Sequence, residues 1–251
     1  MRYAVVIPVY NEAGLFPLML ARLDATPPLV APDGRPLERL LVVVDDFSTD
    51  ATRELVRGLR GRPDTRVVLH DRNSGKGAAV RSGFEAARAA RCDLALIQDA
   101  DLEYDPADHD RLARPILDGR ADAVLGSRFL GETHRVLYYW HYAANRLITT
   151  LSNMLSNLNL TDIECGLKAF SGPVLERLTI REDRFGVEPE LVARLARLRL
   201  PRDAGPPADR PARIFEVPVS YAGRTYEEGK KITWRDGLHA VACIVRYNLS
   251  R

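Results

Sequence analysis

The segment LALIQDADLE, which runs from Leu94 to Glu103, decides the fold class of this chain. A short apolar run is followed by acids at Asp99, Asp101 and Glu103, a pattern typical of a buried parallel strand that ends at a ligand site. Alternate spacing in an extended chain directs the three side chains the same way. Close carboxylates repel one another unless a cation joins them, and their hard oxygens suit Mg²⁺ or Mn²⁺. The alternative interpretation is a solvated acidic turn after the strand.

Strand and helix patterns alternate along the first half of the chain. The predicted strands cover 3–9, 40–44, 66–69, 94–98 and 121–125, and the predicted helices cover 13–23, 51–59, 77–90 and 108–117. This alternation predicts an α/β fold in a single domain, with a mostly parallel, Rossmann-like sheet flanked by helices. The second half is predicted to add a helix within 136–160, a strand at 167–170, a helix at 188–198 and a strand at 214–219.

The helix predicted within 136–160 carries an apolar stripe that we expect to pack on the core rather than on a membrane. The members of the stripe are Leu147, Leu151, Met154, Leu155 and Leu158. The C-terminal stretch 234–247 is also apolar on one side, and there docking on the domain is favoured over lying on a bilayer.

The composition excludes several classes of function. The chain has 251 residues, of which 46% are hydrophobic and 28% charged, an ordinary globular mix. Its net charge of +2 is too small to attract nucleic acid by bulk electrostatics. Cys92, Cys165 and Cys243 are far apart and odd in number, so we expect buried thiols in a reducing, cytoplasmic compartment and no zinc spacing. A strand begins at once, which leaves no room for a signal peptide, and no run approaches the ~18 apolar residues of a membrane helix.

Polar residues follow three of the predicted strands. The first strand ends in PVYNE (8–12), the second in Asp45 and Asp46, and the fourth in the acids described above. Because the carboxyl ends of parallel strands meet at one edge of a sheet, these residues predict a binding site at that edge. Its carboxylates can accept hydrogen bonds from a nucleobase or a ribose, and Tyr10 can stack on a base.

The segment NSGKG (73–77) precedes a predicted helix. Glycines allow backbone amides to approach an anion, and a helix N-terminus favours negative charge. The segment matches neither the Walker loop nor the dinucleotide-binding fingerprint. An ordinary helix N-terminus is the alternative interpretation.

Taken together, these segments resemble glycosyltransferase family 2, whose members have the GT-A fold. The matching segments are VVIPVYNE (5–12), VVDDFSTDAT (43–52), NSGKGAAVRSGF (73–84), DADLEYDP (99–106) and GSR (126–128). The second half is similar to the polyprenyl-phosphate branch, which includes the dolichyl-phosphate mannose and glucose synthases. There the matching segments are NRLITTLSN (145–153), TDIECGLKAF (161–170), RFGVEPEL (184–191) and EVPVSYAGRTYEEGKK (216–231).

The resemblance implies roles for particular residues. The nucleotide-sugar site that it implies consists of Pro8, Tyr10, Glu12, Asp46, Lys76, Asp99, Ala100, Asp101, Arg224 and Lys231. It implies that Asp101 and Glu103 hold Mg²⁺ or Mn²⁺, and that Arg128 and Arg146 bind the phosphate of the acceptor. The catalytic set that it implies consists of Asp99, Asp101, Arg128 and Asp162.

Two of these assignments have alternatives. Asp162 either orients the acceptor or acts as a base, and the other interpretation is a loop acid at the end of a helix. Arg146 has the alternative of a solvated helix position.

The resemblance also implies the organisation of the chain. It implies one GT-A domain over 1–251, with a nucleotide-sugar half at 1–127, an acceptor half at 128–226 and a C-terminal tail helix at 227–251. The expected activity is metal-dependent, inverting transfer of a sugar from a UDP- or GDP-linked donor to a polyprenyl phosphate. The expected location is cytoplasmic and peripheral at the inner face of the membrane, through surface contact or a membrane-anchored partner. The alternatives are a soluble hydroxyl acceptor, a nucleotidyltransferase, and a non-catalytic subunit that binds nucleotide-sugars.

Overall fold

A seven-stranded, mostly parallel sheet forms the centre of the protein in a computed structural model that describes residues 1–131, 135, 138–201, 209–224, 227 and 234–249. The strands are β1 (Arg2–Val9), β2 (Glu38–Asp45), β3 (Thr65–Leu69), β4 (Leu94–Ile97), β5 (Ala123–Ser127), β6 (Lys168–Ser171), β7 (Arg199–Leu200), β8 (Arg210–Pro211) and β9 (Ile214–Pro218). The helices are α1 (Phe16–Ala25), α2 (Thr52–Gly58), α3 (Lys76–Ala89), α4 (His109–Leu117), α5 (Tyr139–Ser156), α6 (Gly172–Arg177), α7 (Val187–Arg197) and α8 (Trp234–Leu249).

The order of the strands places the predicted site at one edge of the sheet. The order is β3-β2-β1-β4-β6-β5-β9, and only β6 runs antiparallel to its neighbours in this sheet. β1 lies between β2 and β4 and is parallel to both. The carboxyl ends of β1, β2 and β4 therefore lie side by side, and the predicted α/β fold with a mostly parallel sheet is confirmed.

Helices cover both faces of the sheet, and β1 shows how its sequence contributes to two cores. Ala4 and Val6 pack in one apolar cluster, whereas Val5 and Ile7 pack in the other, because successive strand residues point to opposite faces. All of these residues are fully buried, which accounts for the continuous apolar run of β1.

The long helix lies within its predicted range, but its predicted apolar stripe is only partly correct. α5 begins at Tyr139 and ends before Asn157, which adopts the left-handed conformation with φ of 57°. Leu151, Leu155 and Leu158 pack against the core, as predicted. The prediction is wrong for Leu147 and Met154, which are 71% and 75% exposed. Both residues lie at the edge of the apolar stripe that faces solvent.

Short elements were missed by the sequence patterns. α6 has six residues, and β7 and β8 have two each, so they are too short for a periodic pattern to identify. Among the described helices, none has the length and apolar character needed to cross a membrane. The three cysteines are buried and unpaired, as expected.

Candidate active site

Arg224 joins the acids that follow β1 and β4. Its Nη2 lies 2.9 Å from Oδ2 of Asp101 and 3.3 Å from Oε1 of Glu12, and its backbone N–H donates to Glu103 over 3.0 Å. The backbone N–H of Ala222 donates to the carbonyl of Glu103 over 2.9 Å, which fixes the segment after β9 against the end of β4. The predicted convergence of these carboxylates at one edge of the sheet is therefore observed, together with a cation from the second half of the chain.

The acids at this edge carry excess negative charge. Burial, together with the charges of Asp99 and Glu103, raises the pKa of Asp101 to about 7, although Arg224 opposes the shift. Neighbouring carboxylates that resist ionisation are stabilised by a further cation. Carboxylate oxygens are the ligands that Mg²⁺ and Mn²⁺ prefer, and Asp101 and Glu103 supply them here.

Lys76, the first residue of α3, lies beside Asp99. Its Nζ is 2.8 Å from Asp99 Oδ1 and 3.1 Å from Glu188 Oε1. Burial alone would lower the pKa of Lys76, but the two carboxylates raise it above its usual range, so the amine is charged. Glu188 also pairs with the buried Lys168. The sequence patterns assigned Glu188 only to the start of a helix, because its partners lie far away in the chain.

Asp46 is buried and saturated by donors from the protein. Its two carboxylate oxygens accept the backbone N–H groups of Ser74 (2.9 Å) and Gly75 (2.6 Å). The ring Nδ1 of His70 lies 2.7 Å from Asp46 Oδ1, and its Nε2 lies 2.9 Å from Ser82 Oγ. The 73–77 segment thus uses its amides to hold Asp46, which supports the interpretation of this segment as an ordinary helix start. No sequence pattern pointed to His70 as a partner of Asp46.

Arg128 and Asp162 form a buried ion pair after β5. Arg128 Nε and Nη2 donate to the two carboxylate oxygens over 2.7 and 2.8 Å, and the backbone N–H of Arg128 donates over 3.1 Å. Burial would raise the pKa of Asp162, but the charge and hydrogen bonds of Arg128 outweigh it and lower the pKa. A carboxylate held in this way is a poor proton acceptor, so the geometry favours an orienting role over a basic one.

Tyr221 connects this ion pair to the acidic edge. The guanidinium of Arg128 lies 5.2 Å from the centroid of the Tyr221 ring, and the Tyr221 hydroxyl donates to Glu103 Oε2 over 3.1 Å. Tyr221 therefore contacts both the ion pair and the acidic edge.

The remaining predicted residues are divided between the site and its surroundings. Pro8 and Tyr10 lie at the end of β1, whereas Ala100 packs its side chain into the core. Arg146 is exposed on α5, where the neighbouring Asn145 contacts Asp162 over 3.3 Å. The structure does not place the Arg146 side chain with Arg128, and Lys231 lies outside the described residues.

Glu164 is an acid that the sequence patterns did not single out. Its Oε1 is buried without a hydrogen-bond partner among the residues that the structure describes. Burial and the charge of Glu188 raise the pKa of Glu164 to about 7, against the influence of Arg128 and Lys168. A carboxyl group with this pKa is suited to exchange a proton near neutral pH.

The sheet order and its acidic edge define a GT-A fold. The chain aligns over 99% of its length with glucosyl-3-phosphoglycerate synthase from Mycobacterium tuberculosis, solved with Mn²⁺, UDP and phosphoglyceric acid, with a TM-score of 0.67, 20% identity and 78% of that chain covered. The same enzyme was solved with Mg²⁺ and UDP, with a TM-score of 0.60 and 19% identity over 98% of this chain and 79% of that one. At this level of sequence identity, the structural similarity establishes the fold of the chain.

The profile of Glycosyl transferase family 2 matches residues 4–179, so the chain belongs to that family. One relative is the undecaprenyl-phosphate 4-deoxy-4-formamido-L-arabinose transferase of Aeromonas hydrophila, 28% identical over 90% of this chain and 62% of its own. The undecaprenyl-phosphate mannosyltransferase of Micrococcus luteus is 29% identical over all of this chain and 95% of its own. The predicted family is confirmed, and these relatives match the predicted polyprenyl-phosphate branch. The chain spans about three-fifths of the length of the first relative.

Proposed function

We propose that this protein transfers a sugar from a nucleotide-sugar to a polyprenyl phosphate, with inversion at the anomeric carbon. The observation that carries the proposal is the contact of Arg224 with Glu12, Asp101 and Glu103, because it assembles cation and carboxylates where a diphosphate would lie. The names of the relatives, both undecaprenyl-phosphate transferases, support the acceptor class.

The donor binds, in this proposal, to the half of the chain at 1–127. Pro8, Tyr10 and Glu12 face the base and ribose, and Asp99 with Lys76 contacts the sugar diphosphate. Asp101 and Glu103 hold Mg²⁺ or Mn²⁺, which would neutralise the charge that develops on the leaving diphosphate. Arg224 then supplies positive charge from the second half of the chain.

The acceptor binds to the half at 128–226 and brings its own negative charge. A phosphate oxygen attacks the anomeric carbon while the bond from that carbon to the diphosphate breaks, so a nucleoside diphosphate leaves and no base is required. Arg128 and Arg146 would bind the phosphate, since guanidinium groups match its geometry. The ion pair of Arg128 with Asp162 fixes the position of that guanidinium before the acceptor arrives.

Two experimental arms test the acceptor. The protein is incubated with UDP- and GDP-sugars and Mn²⁺, together with a short polyprenyl phosphate or the matching free polyprenol, and release of nucleoside diphosphate is measured. We expect turnover with the phosphate alone, and its loss with a chelator or in Asp101→Asn. Equal rates with the alcohol would establish a hydroxyl acceptor, and release of pyrophosphate would establish a nucleotidyltransferase. Binding of the nucleotide-sugar without turnover would indicate a non-catalytic subunit.

The start of α5 is proposed to contact the membrane that holds the acceptor. Tyr139 and Trp140 are 69% and 78% exposed, and Leu147 is exposed further along the same helix. Rings with an apolar body and a polar atom favour the boundary between lipid and water. This contact would bring Arg146 to the depth of the lipid phosphates, and α8 would lie beside it.

Vesicle flotation tests the membrane contact. Wild-type protein should float with anionic phospholipid vesicles, and Tyr139→Ala with Trp140→Ala should reduce the bound fraction severalfold. Leu18→Ala is the matched control, because Leu18 is 56% exposed on α1 and should not change the bound fraction. Equal flotation of all variants would contradict the proposed surface.

A further inference from the structure

Glu182, His239 and Cys243 bring three potential metal ligands together in a cluster that the candidate active site does not use. Glu182 precedes α7, and His239 and Cys243 lie one turn apart on α8. His239 Nε2 is 3.3 Å from Glu182 Oε2 and 3.4 Å from Cys243 Sγ. All three ligand atoms lie within 4.8 Å of one another, close enough to converge on one ion.

Gly186 allows these donors to pack close to its backbone. A Cβ atom at this position would lie 3.0 Å from His239 Nε2 and 3.2 Å from Glu182 Oε2, and closer still to Cys243 Sγ. The three donors therefore lie on the same side of the Gly186 backbone, where a larger residue would push them apart. Zinc binds at about 2.0–2.1 Å to nitrogen and about 2.3 Å to sulfur, so small side-chain movements would bring the three donors around one ion.

The two oxygens of Glu182 have separate partners. Oε1 accepts the Tyr247 hydroxyl over 3.0 Å and lies 3.1 Å from Arg246 Nη1, whereas Oε2 faces His239. In metal sites, a hydrogen bond to the carboxylate oxygen that does not bind the metal commonly holds the ligand in its orientation. Arg246 is the nearby opposing charge, but it is largely exposed and holds the oxygen that points away from the cluster.

Access and burial also suit an ion. Glu182 and Cys243 are buried, whereas the side chain of His239 is 44% exposed, which leaves a route from solvent. Imidazole, thiolate and carboxylate together form a ligand set of intermediate softness, which favours Zn²⁺ over Mg²⁺.

We propose that Glu182, His239 and Cys243 bind Zn²⁺, with water as a fourth ligand. On binding, the Cys243 thiol releases its proton to solvent and a sulfur–zinc bond forms, with no change of oxidation state. The ion would tie α8 to the segment before α7, where the carbonyl of Asp183 accepts the N–H of Ala78 at the start of α3. The sequence patterns found no zinc spacing because His239 lies 57 residues from Glu182.

Zinc binding is measured by titration calorimetry and by metal content after dialysis, in an Asp101→Asn background that weakens binding at the acidic edge. We expect one Zn²⁺ per chain and a rise in Tm on its addition. His239→Gln removes a ligand and should weaken zinc binding by about 100-fold or more. Loss of only a hydrogen bond to a ligand typically weakens metal binding by ~10–100-fold. Tyr247→Phe should fall within that smaller range.

Cobalt provides a spectroscopic signature of the same site. Co²⁺ in place of Zn²⁺ should give a thiolate-to-cobalt charge-transfer absorption that Cys243→Ala abolishes. Cys92→Ala is the matched control, because Cys92 is also a buried free thiol and should leave the absorption unchanged. If Cys243→Ala fails to fold, His239→Gln decides, since its side chain is partly exposed. The proposal would be overturned if the wild-type protein did not bind Zn²⁺. It would also be overturned if His239→Gln bound Zn²⁺ with the wild-type affinity and showed the same rise in Tm.

Discussion

Replacement of Asp162 by Asn tests whether the buried ion pair with Arg128 stabilises the fold. Asp162 is 1% exposed and accepts two side-chain bonds and one backbone bond from Arg128. The neutral amide keeps the shape but loses the charge, and the Arg128 guanidinium remains buried without a counter-charge. Removal of one partner from such a pair costs about 3–5 kcal/mol, so the free energy of unfolding should fall by that amount.

The same pair determines how stability depends on pH. Burial alone would raise the pKa of Asp162, but Arg128 lowers it below its unfolded value, so the unfolded chain binds the proton more readily. Stability from this group is therefore complete above the usual aspartate pKa of about 4 and is lost as the pH falls below it. The wild-type protein should lose more stability on acidification than Asp162→Asn does.

Urea unfolding followed by circular dichroism, at neutral pH and at several acidic pH values, measures both effects. Asp33→Asn is the control, because Asp33 pairs with Arg35 at the surface and the variant should unfold near the wild-type midpoint. Arg128→Met combined with Asp162→Leu should recover most of the lost stability, since a well-packed apolar pair can replace a buried ion pair. A loss below about 1 kcal/mol in Asp162→Asn, or the same pH dependence as the wild type, would refute the reasoning.

Three further predictions concern packing, pH and the acceptor. Gly166→Ala places a methyl group 3.1 Å from Cγ of Asp99, against its carboxylate, and should lower turnover by about 100-fold. Gly14→Ala is the control and should not change turnover, because its methyl group meets nothing within 4 Å. Burial lowers the pKa of His109 to about 4, so the unfolded chain binds more protons below about pH 6.5. Stability should therefore fall as the pH drops from 6.5 toward 4, and urea unfolding of His109→Gln should show a weaker fall. Glu164→Gln should change the rate of transfer to a polyprenyl phosphate by less than about tenfold, whereas a loss of about 100-fold or more would indicate a base and favour a hydroxyl acceptor.

The acidic edge could be predicted from the sequence because it depends on local patterns. Strand period, strand order and the position of each strand end are sufficient to bring Glu12, Asp101 and Glu103 together. These acids come shortly after the apolar runs that become β1 and β4, and those two strands are neighbours in the sheet.

The partners of the site residues could not be predicted in the same way. His70 contacts Asp46, which lies 24 residues away in the chain. Glu188 contacts Lys76, which lies much further away in the chain. Such contacts depend on how helices and loops pack, and no periodic pattern encodes them. The exposed positions of Leu147 and Met154 were missed for a related reason, since apolar periodicity does not say which edge of a stripe meets the core.

Arg224 links the predictable and unpredictable parts of the site. In the structure its guanidinium contacts Glu12 and Asp101, which follow β1 and β4, although Arg224 itself follows β9 at the far edge of the sheet. Because Asp101 resists ionisation even with Arg224 beside it, one guanidinium does not balance these acids. A divalent cation at Asp101 and Glu103 would supply the missing charge, and Arg224 could then turn from the carboxylates to the oxygens of a diphosphate. The ionic contacts that close the site over the donor would thus be the ones that hold its two halves together before the donor binds.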